Sequence, residues 1–147
     1  MKKEKGFTLI EILLVISLMA ILTSIVIFAI NPPKQLADSR DAQRESDVFS
    51  IVSAIYQYAA DNEGSFPSSI TTVETEICAT DALNCTSVID LSVLTDGEAY
   101  LVSAPVDPLC ASTCTSNGTG YFVNLTANGR LLINASSSEN KIIIITQ

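Results

Sequence analysis

The sequence predicts an α+β protein, in which one long N-terminal helix packs on a small antiparallel sheet. Three observations carry this prediction. The chain of 147 residues contains an apolar run, residues 7–30, close to its start. A segment with apolar residues at helical spacing follows it, and short apolar runs separated by turn residues lie near the end of the chain.

The apolar run, residues 7–30, is long enough to cross a membrane. As a helix it would measure about 36 Å, against a hydrocarbon core of about 30 Å. Apolar side chains cover every face, so this segment is a membrane helix or a fully buried one. The run contains one charged residue, Glu11. An acidic side chain at the centre of a bilayer costs about 3 kcal/mol, so this carboxylate is expected to have a function.

A second helical segment, residues 31–64, is predicted to continue the first. Pro32 and Pro33 are expected to bend or interrupt the helix, because proline removes a backbone donor and clashes with the preceding turn. Gly64 is expected to end the segment. The apolar positions at helical spacing are Val48, Ile51, Val52, Ile55 and Ala59.

The first half of this second segment is polar and carries charges of both signs. One interpretation is a solvated helix supported by i,i+3 pairs, such as Asp41 with Arg44 and Arg44 with Asp47. The other is that these charges meet neighbouring copies of the same protein. The sequence leaves both interpretations open.

Residues 65–147 are predicted to form a loop-rich globular head with an antiparallel sheet. Residues 65–99 are mostly loop, with one short helical turn that carries Leu91 and Leu94 and is capped by residues 87–90. A short strand is predicted at residues 100–102, and two more at 121–126 and 130–134 flank the hairpin signal Asn128-Gly129. Residues 142–146 are predicted to form an inner strand, because an exposed apolar edge would aggregate.

The composition excludes two classes of function. The net charge is -8, and nothing in the chain forms a basic patch, so we predict no nucleic-acid partner for the protein. The chain has no histidine, so no ordinary catalytic triad can be assembled. We therefore predict that the protein is not an enzyme.

Four cysteines lie beyond the apolar run, at positions 78, 85, 110 and 114. Their even number predicts two disulfides in an oxidising compartment. Of the three possible pairings we favour Cys78 with Cys85 and Cys110 with Cys114, because each pair closes a short loop. A four-cysteine zinc site is the alternative, although the spacings differ from the usual knuckles. Basic residues flank the apolar run about equally on both sides, so it is the disulfides that place the head outside the cytoplasm.

The segment GFTLIE, preceded by a lysine-rich leader and followed by the apolar helix, resembles the class III signal of type IV pilins and the pseudopilins of type II secretion. The resemblance implies that a prepilin peptidase removes the leader, residues 1–6, by cleavage between Gly6 and Phe7. It also implies methylation of the new Phe7 N-terminus. The segments RESDVFSIVSAIYQYAADNEGSFP and YLVSAPVDP extend the similarity into the head.

Several further expectations follow from this resemblance. In a filament, the Glu11 carboxylate would pair with the Phe7 amine of a neighbouring copy. Loss of the leader would take the net charge from -8 to -10, because residues 1–6 carry three lysines and one glutamate. Some pseudopilins bind calcium in a loop of the head, which makes Asp96, Glu98 and Asp107 weak calcium candidates. No other cofactor is expected.

We therefore expect the structural subunit of a type IV pilus, assembled by helix bundling. Its partners would be copies of itself, the prepilin peptidase and the assembly machinery of the inner membrane. The subunit would cross that membrane once and then become part of an extracellular pilus, with adhesion or motility as its context. The alternatives are a pseudopilin of a secretion or competence system and a signal-anchored extracytoplasmic binding domain.

Overall fold

The computed structural model describes residues 6–146, apart from the side chains of residues 112 and 113. It divides into two compact units, one that ends at Leu36 and one that begins at Ala37. Of the predicted leader, residues 1–6, only Gly6 lies within the described residues.

The first helix, α1, spans Leu9–Ile30, and none of its residues is buried. It ends at Asn31, which adopts a left-handed conformation with φ 51°. The second helix, α2, spans Pro32–Asp61. Its two prolines thus occupy the first turn, where a missing N–H costs nothing and the fixed φ favours the helix. The interruption predicted around the prolines is present, and the residue outside both helices is Asn31.

The head contains a four-stranded antiparallel sheet of order β1-β2-β3-β4. The strands are β1 (Thr75–Cys78), β2 (Gly118–Leu125), β3 (Leu131–Ala135) and β4 (Ile143–Thr146). Two short helices, α3 (Ser92–Thr95) and α4 (Cys110–Thr113), and a 3-10 turn (Asp96–Glu98) lie in the connections. The predicted α+β fold, with a long N-terminal helix and a small antiparallel sheet, is confirmed.

The core of the head lies between α2 and one face of the sheet. Val48, Ile51 and Ile55 of α2 are almost fully buried, together with Tyr121 and Ile133 of the sheet. These α2 residues recur every three or four positions, as the predicted apolar face requires. Buried apolar area of this kind is the main favourable term in the folding of the head.

The local signals located the hairpin and the helical turn correctly. Strands β2 and β3 pair from Leu125 with Leu131 to Tyr121 with Ala135, and Gly129 adopts the positive φ of 75° that the turn needs. The predicted turn is α3, where the Asp90 carboxylate accepts a hydrogen bond from the Ser92 N–H at 2.8 Å.

Three strand predictions were wrong. Residues 100–102 are not a strand, because the N–H groups of Tyr100 and Leu101 donate to the Leu94 carbonyl and so close the α3 turn. Strand β1 lies in the stretch predicted as loop, since its conformation depends on pairing with distant β2. Strand β4 is an edge strand and not an inner one: β3 pairs with one side of it, and Ile144 on its outer face is half exposed.

Candidate functional site

The candidate assembly site begins at the first turn of α1. The Thr8 hydroxyl accepts a hydrogen bond from the Glu11 N–H at 3.3 Å, and the Glu11 carboxylate accepts from the Thr8 N–H at 3.3 Å and from its hydroxyl at 3.2 Å. This reciprocal arrangement is a capping box, which satisfies two of the backbone donors that a helix start leaves free. Glu11 therefore has a partner within its own chain, but that partner is neutral.

The predicted processing residues lie immediately before this turn. Phe7 is 83% exposed, and a side chain added at Gly6 would meet nothing within 4 Å. A peptidase needs an accessible backbone in order to bind a scissile bond. The prediction of cleavage between Gly6 and Phe7 therefore meets no steric obstacle in the described residues.

The surface of α1 is apolar on all sides and uncovered. Its large apolar side chains are about half exposed or more, from Leu9 to Ile30. Its serines and Thr23 donate to carbonyls one turn earlier in the helix, at 2.7–2.8 Å, so their hydroxyls are satisfied without water. Helix α1 is the one described helix that is long and apolar enough to cross a membrane. Such a surface requires cover by lipid or by other apolar helices.

Two of the charged side chains of α2, Asp41 and Arg44, are buried in the head, which neither sequence interpretation predicted. Arg44 is fully buried, and its guanidinium forms a bidentate pair with Asp107 at 2.6 and 3.1 Å. It also contacts Asp41 at 2.8 Å and Glu139 at 3.2 Å. We call these four residues the Arg44 network. The predicted pair of Asp41 with Arg44 is present, but it is buried within the head and not solvated.

The Arg44 network ties three distant parts of the head together. The Asp41 carboxylate also accepts hydrogen bonds from the N–H groups of Glu139 at 3.0 Å and Asn140 at 2.7 Å. Burial acts to raise the pKa of Asp41, but these donors and Arg44 together hold that pKa below its usual value. A hydrogen bond from Arg40 lowers the pKa of Glu139 in the same way. Both carboxylates are thus held ionised around the buried cation.

The predicted pair of Arg44 with Asp47 is not among the ion pairs of the described residues. Asp47 accepts a hydrogen bond from the Tyr121 hydroxyl at 2.7 Å instead. Burial raises the pKa of Asp47, although this hydrogen bond opposes the change. Burial and the Asp47 carboxylate raise the pKa of Tyr121 well above its ordinary value. The pair therefore consists of a neutral tyrosine donor and an aspartate acceptor.

The four cysteines form two disulfides, Cys78–Cys85 and Cys110–Cys114, in the same pairs that the loop lengths favour. Their Cα atoms are 5.6 and 4.8 Å apart, within the usual range. The Cys110–Cys114 loop follows Asp107 of the Arg44 network directly, and the Cys110 N–H donates a hydrogen bond to the Asp107 carbonyl at 2.9 Å. With all four thiols oxidised, the zinc alternative has no ligands.

The weak calcium candidates do not form a metal-binding cluster in the described part of the chain. Asp107 is buried and both of its carboxylate oxygens face Arg44, so the aspartate already has a cation. Asp96 and Glu98 lie in the 3-10 turn. The described part of the chain contains no group of three or more His, Cys, Asp or Glu side chains that could hold a metal ion.

Glu139 was not predicted from the sequence as a functional residue, and Asp107 was predicted only as a weak calcium candidate. One signal was available: Arg44 lies four residues before Val48, in register with the apolar face of α2. A cation on a buried face requires a buried anion. The sequence does not say which of the 16 acidic residues supplies it.

Comparison with known proteins gives one finding. Residues 1–30 match the family described as "Prokaryotic N-terminal methylation motif". The match thus covers the leader, the capping box and α1. No curated protein and no solved structure matches the chain.

Proposed function

We propose that this chain, whose methylation motif indicates a type IV pilin-like or pseudopilin protein, is the structural subunit of a type IV pilus. The motif implies processing by a prepilin peptidase and delivery to an assembly machinery. The observation that carries the proposal is α1 itself. This helix follows the motif directly, is apolar on every face, and has no buried residue.

During assembly, α1 would leave a lipid environment and enter one formed by other α1 helices. Before assembly the helix is compatible with anchorage in the membrane, where lipid covers its surface. In the filament, α1 helices of neighbouring copies would replace the lipid. This exchange is close to neutral for the apolar side chains, because lipid and leucine are similarly apolar. Specific groups must therefore determine where a new subunit stops.

Glu11 is the group that can determine this position. Its carboxylate lies in the first turn of α1, where the capping box supplies neutral donors only. Cleavage before Phe7 creates an amine, and N-methylation keeps it positively charged. The amine of a neighbouring copy would offer Glu11 a full opposite charge in an apolar core, where such a pair is strongest. Glu11 would thus set the register of each added subunit.

A pseudopilin of a secretion system is the second candidate, favoured by the resemblance of the YLVSAPVDP segment to that branch. The structure of the head is compatible with both candidates. The two functions differ in the length and location of the filament. Long surface fibres would support the pilus, and short periplasm-spanning ones would support the pseudopilus.

The test is mass spectrometry on protein sheared from the surface of the native cells, together with electron microscopy of the sheared material. We expect filaments whose subunit begins at methylated Phe7 and carries four oxidised cysteines. A chain that keeps residues 1–6 and is found only in membranes would contradict the proposal. It would support the signal-anchored binding domain instead.

A further inference from the structure

The connection between β3 and β4 is fastened to the first half of α2 by charged groups. Residues 136–142 form this connection, which we call the strap. The Asp41 carboxylate of α2 accepts hydrogen bonds from the strap N–H groups of Glu139 at 3.0 Å and Asn140 at 2.7 Å. Arg40 of α2 binds both carboxylate oxygens of Glu139, each at 2.6 Å.

Two further contacts extend this attachment along α2. The Asp38 carboxylate accepts a hydrogen bond from the side-chain amide of Asn140 at 3.0 Å, and Glu45 pairs with Lys141. Positions 38, 41 and 45 are spaced by three and four residues, so they lie on one face of the helix. In the part of the chain that the structure describes, every hydrogen bond between the strap and α2 therefore has a carboxylate as its acceptor.

Apolar contacts hold the strap and β4 only weakly. Strand β4 pairs on one side, with β3. Among residues 136–146, all of which the structure describes, Ile143 is the one buried side chain, at 5% exposed. Both disulfides lie between residues 78 and 114, so neither links this segment to the rest of the head. The attachment of residues 136–146 thus depends largely on the charged contacts.

Acid would reverse the balance of charge at the strap. The charged groups that meet there come from three elements: Asp38, Arg40, Asp41, Arg44 and Glu45 on α2, Glu139 and Lys141 on the strap, and Asp107 on the loop before α4. Protonation of the carboxylates weakens the acceptors of every contact. It also leaves three cations, Arg40, Arg44 and Lys141, which repel one another.

The direction of the pH effect follows from two carboxylates. Burial acts to raise the pKa of Asp41, but the strap N–H groups and Arg44 together hold that pKa below its usual value. A hydrogen bond from Arg40 lowers the pKa of Glu139. In the unfolded chain both groups titrate near pH 4. Their contribution to stability is therefore complete above about pH 4 and is lost as the pH falls through the lower values of the folded head.

We propose that the strap is an acid-sensitive switch: loss of its carboxylate charges opens residues 136–146 as a unit, while α2 and strands β1 to β3 stay folded. Opening leaves β3 at the edge of the sheet, where its backbone donors and acceptors are free to pair with another strand. The inference concerns the head alone and does not depend on the proposed function.

The first test is amide hydrogen exchange, followed by mass spectrometry, on the full chain in detergent micelles at pH 7. The variants are Asp41→Asn and, as a matched control, Asp47→Asn. Asp47 is also a partly buried α2 carboxylate that accepts a hydrogen bond from the sheet, in this case from Tyr121. Each substitution removes one negative charge and keeps the shape of the side chain.

We expect Asp41→Asn to speed exchange in residues 136–146 at least tenfold and to change exchange in β2 less than twofold. Asp47→Asn should change exchange in residues 136–146 less than twofold. Protected β2 amides verify that the head of each variant is folded.

The second test uses the wild-type chain at pH 7 and pH 3. Exchange rates are divided by the intrinsic chemical rate at each pH, which gives a protection factor for each segment. We expect the protection factor of residues 136–146 to fall at least ten times more than that of β2. This comparison also decides the question if Asp41→Asn does not fold.

Three results would overturn the inference. The strap is no separate unit if residues 136–146 and β2 lose protection together in either test. Its closure does not depend on carboxylate charge if exchange in residues 136–146 is unchanged in Asp41→Asn or at pH 3. Equal acceleration of the strap by Asp47→Asn would show that the effect is not specific to the strap contacts.

Discussion

The N-terminal helix and the head differ in how their charged side chains are paired. In the head, Arg44 is fully buried and three carboxylates of the same chain surround it. In α1, Glu11 lies on an exposed apolar surface, and the capping box gives it neutral donors only. The head pairs its buried charges internally, as the Arg44 network shows. The Glu11 carboxylate has only neutral partners within its own chain, and the proposed function assigns its charged partner to another copy.

The largest expected effect is on assembly, through Glu11. Glu11→Ala should reduce filament yield roughly 100-fold or more, because the Phe7 amine of a neighbour would be buried without a partner, at a cost of about 3 to 5 kcal/mol. Processing should continue. Sheared filaments and the mass of the membrane-bound subunit measure the two effects separately.

Glu11→Gln is the matched control for that prediction. Glutamine can still form the capping box with Thr8 but carries no charge. If Glu11→Gln assembles like the wild type, the role of Glu11 is to start the helix and not to pair with an amine.

The next largest effect is on the stability of the head. Arg44→Met leaves Asp41 and Asp107 buried with no cation, and should lower the free energy of unfolding by about 3 to 5 kcal/mol. Lys141→Met removes the exposed pair with Glu45 and should cost about 1 kcal/mol or less. Urea unfolding of the full chain in detergent, followed by tyrosine fluorescence, measures both. If both variants lose the same free energy of unfolding, the burial of the Arg44 network does not add to the stability of the head.

Removal of the Cys78–Cys85 disulfide, by replacement of both cysteines with serine, should have a smaller effect. The bond closes a loop with a sequence separation of 7, and the chain-entropy estimate for such a loop is about 2 to 3 kcal/mol. The same unfolding experiment measures the loss. A loss larger than that of Arg44→Met would show that the covalent links, and not the ion network, dominate the stability of the head.

Apart from the Lys141→Met control, the smallest expected effect is that of Tyr121→Phe, which removes the hydrogen bond to Asp47. The free energy of unfolding should fall by about 1 to 2 kcal/mol at pH 7. In the wild type the pKa of Tyr121 is raised, so the unfolded chain ionises this tyrosine first and stability is lost as pH rises above about 10. Tyr121→Phe lacks this loss. The difference in the free energy of unfolding between the wild type and Tyr121→Phe should therefore shrink between pH 7 and pH 11. A difference that stays constant would contradict the raised pKa of Tyr121.

Features fixed by neighbouring residues could be predicted from the sequence. The motif GFTLIE, the length of α1 and the turn at Asn128-Gly129 each depend on a few adjacent positions. The two short disulfide loops are local in the same sense. The fold class and the β2–β3 hairpin could therefore be predicted from the sequence.

Features fixed by distant partners could not be predicted. Strand β1 has the short sequence TEIC, which lacks a clear strand pattern, and its pairing with β2 depends on residues more than 35 positions later. Glu139 lies in a polar stretch that resembles any solvated turn. Arg44 was predicted to be solvated or to contact another copy, and its principal partner in the head, Asp107, is 63 residues away. Sequence spacing alone carries no information about such contacts.

The separation of these partners also has a consequence for the order of folding. Asp41 and the Glu139 N–H that binds it are 98 residues apart. Contacts of such long range are formed late, because the entropy of closing a long loop must be overcome first. During synthesis, helix α2 emerges long before Glu139 does, so Arg44 has only Asp41 as a partner at that stage. The head can complete its core only after almost the whole chain has been made, which delays the native state until synthesis is nearly finished.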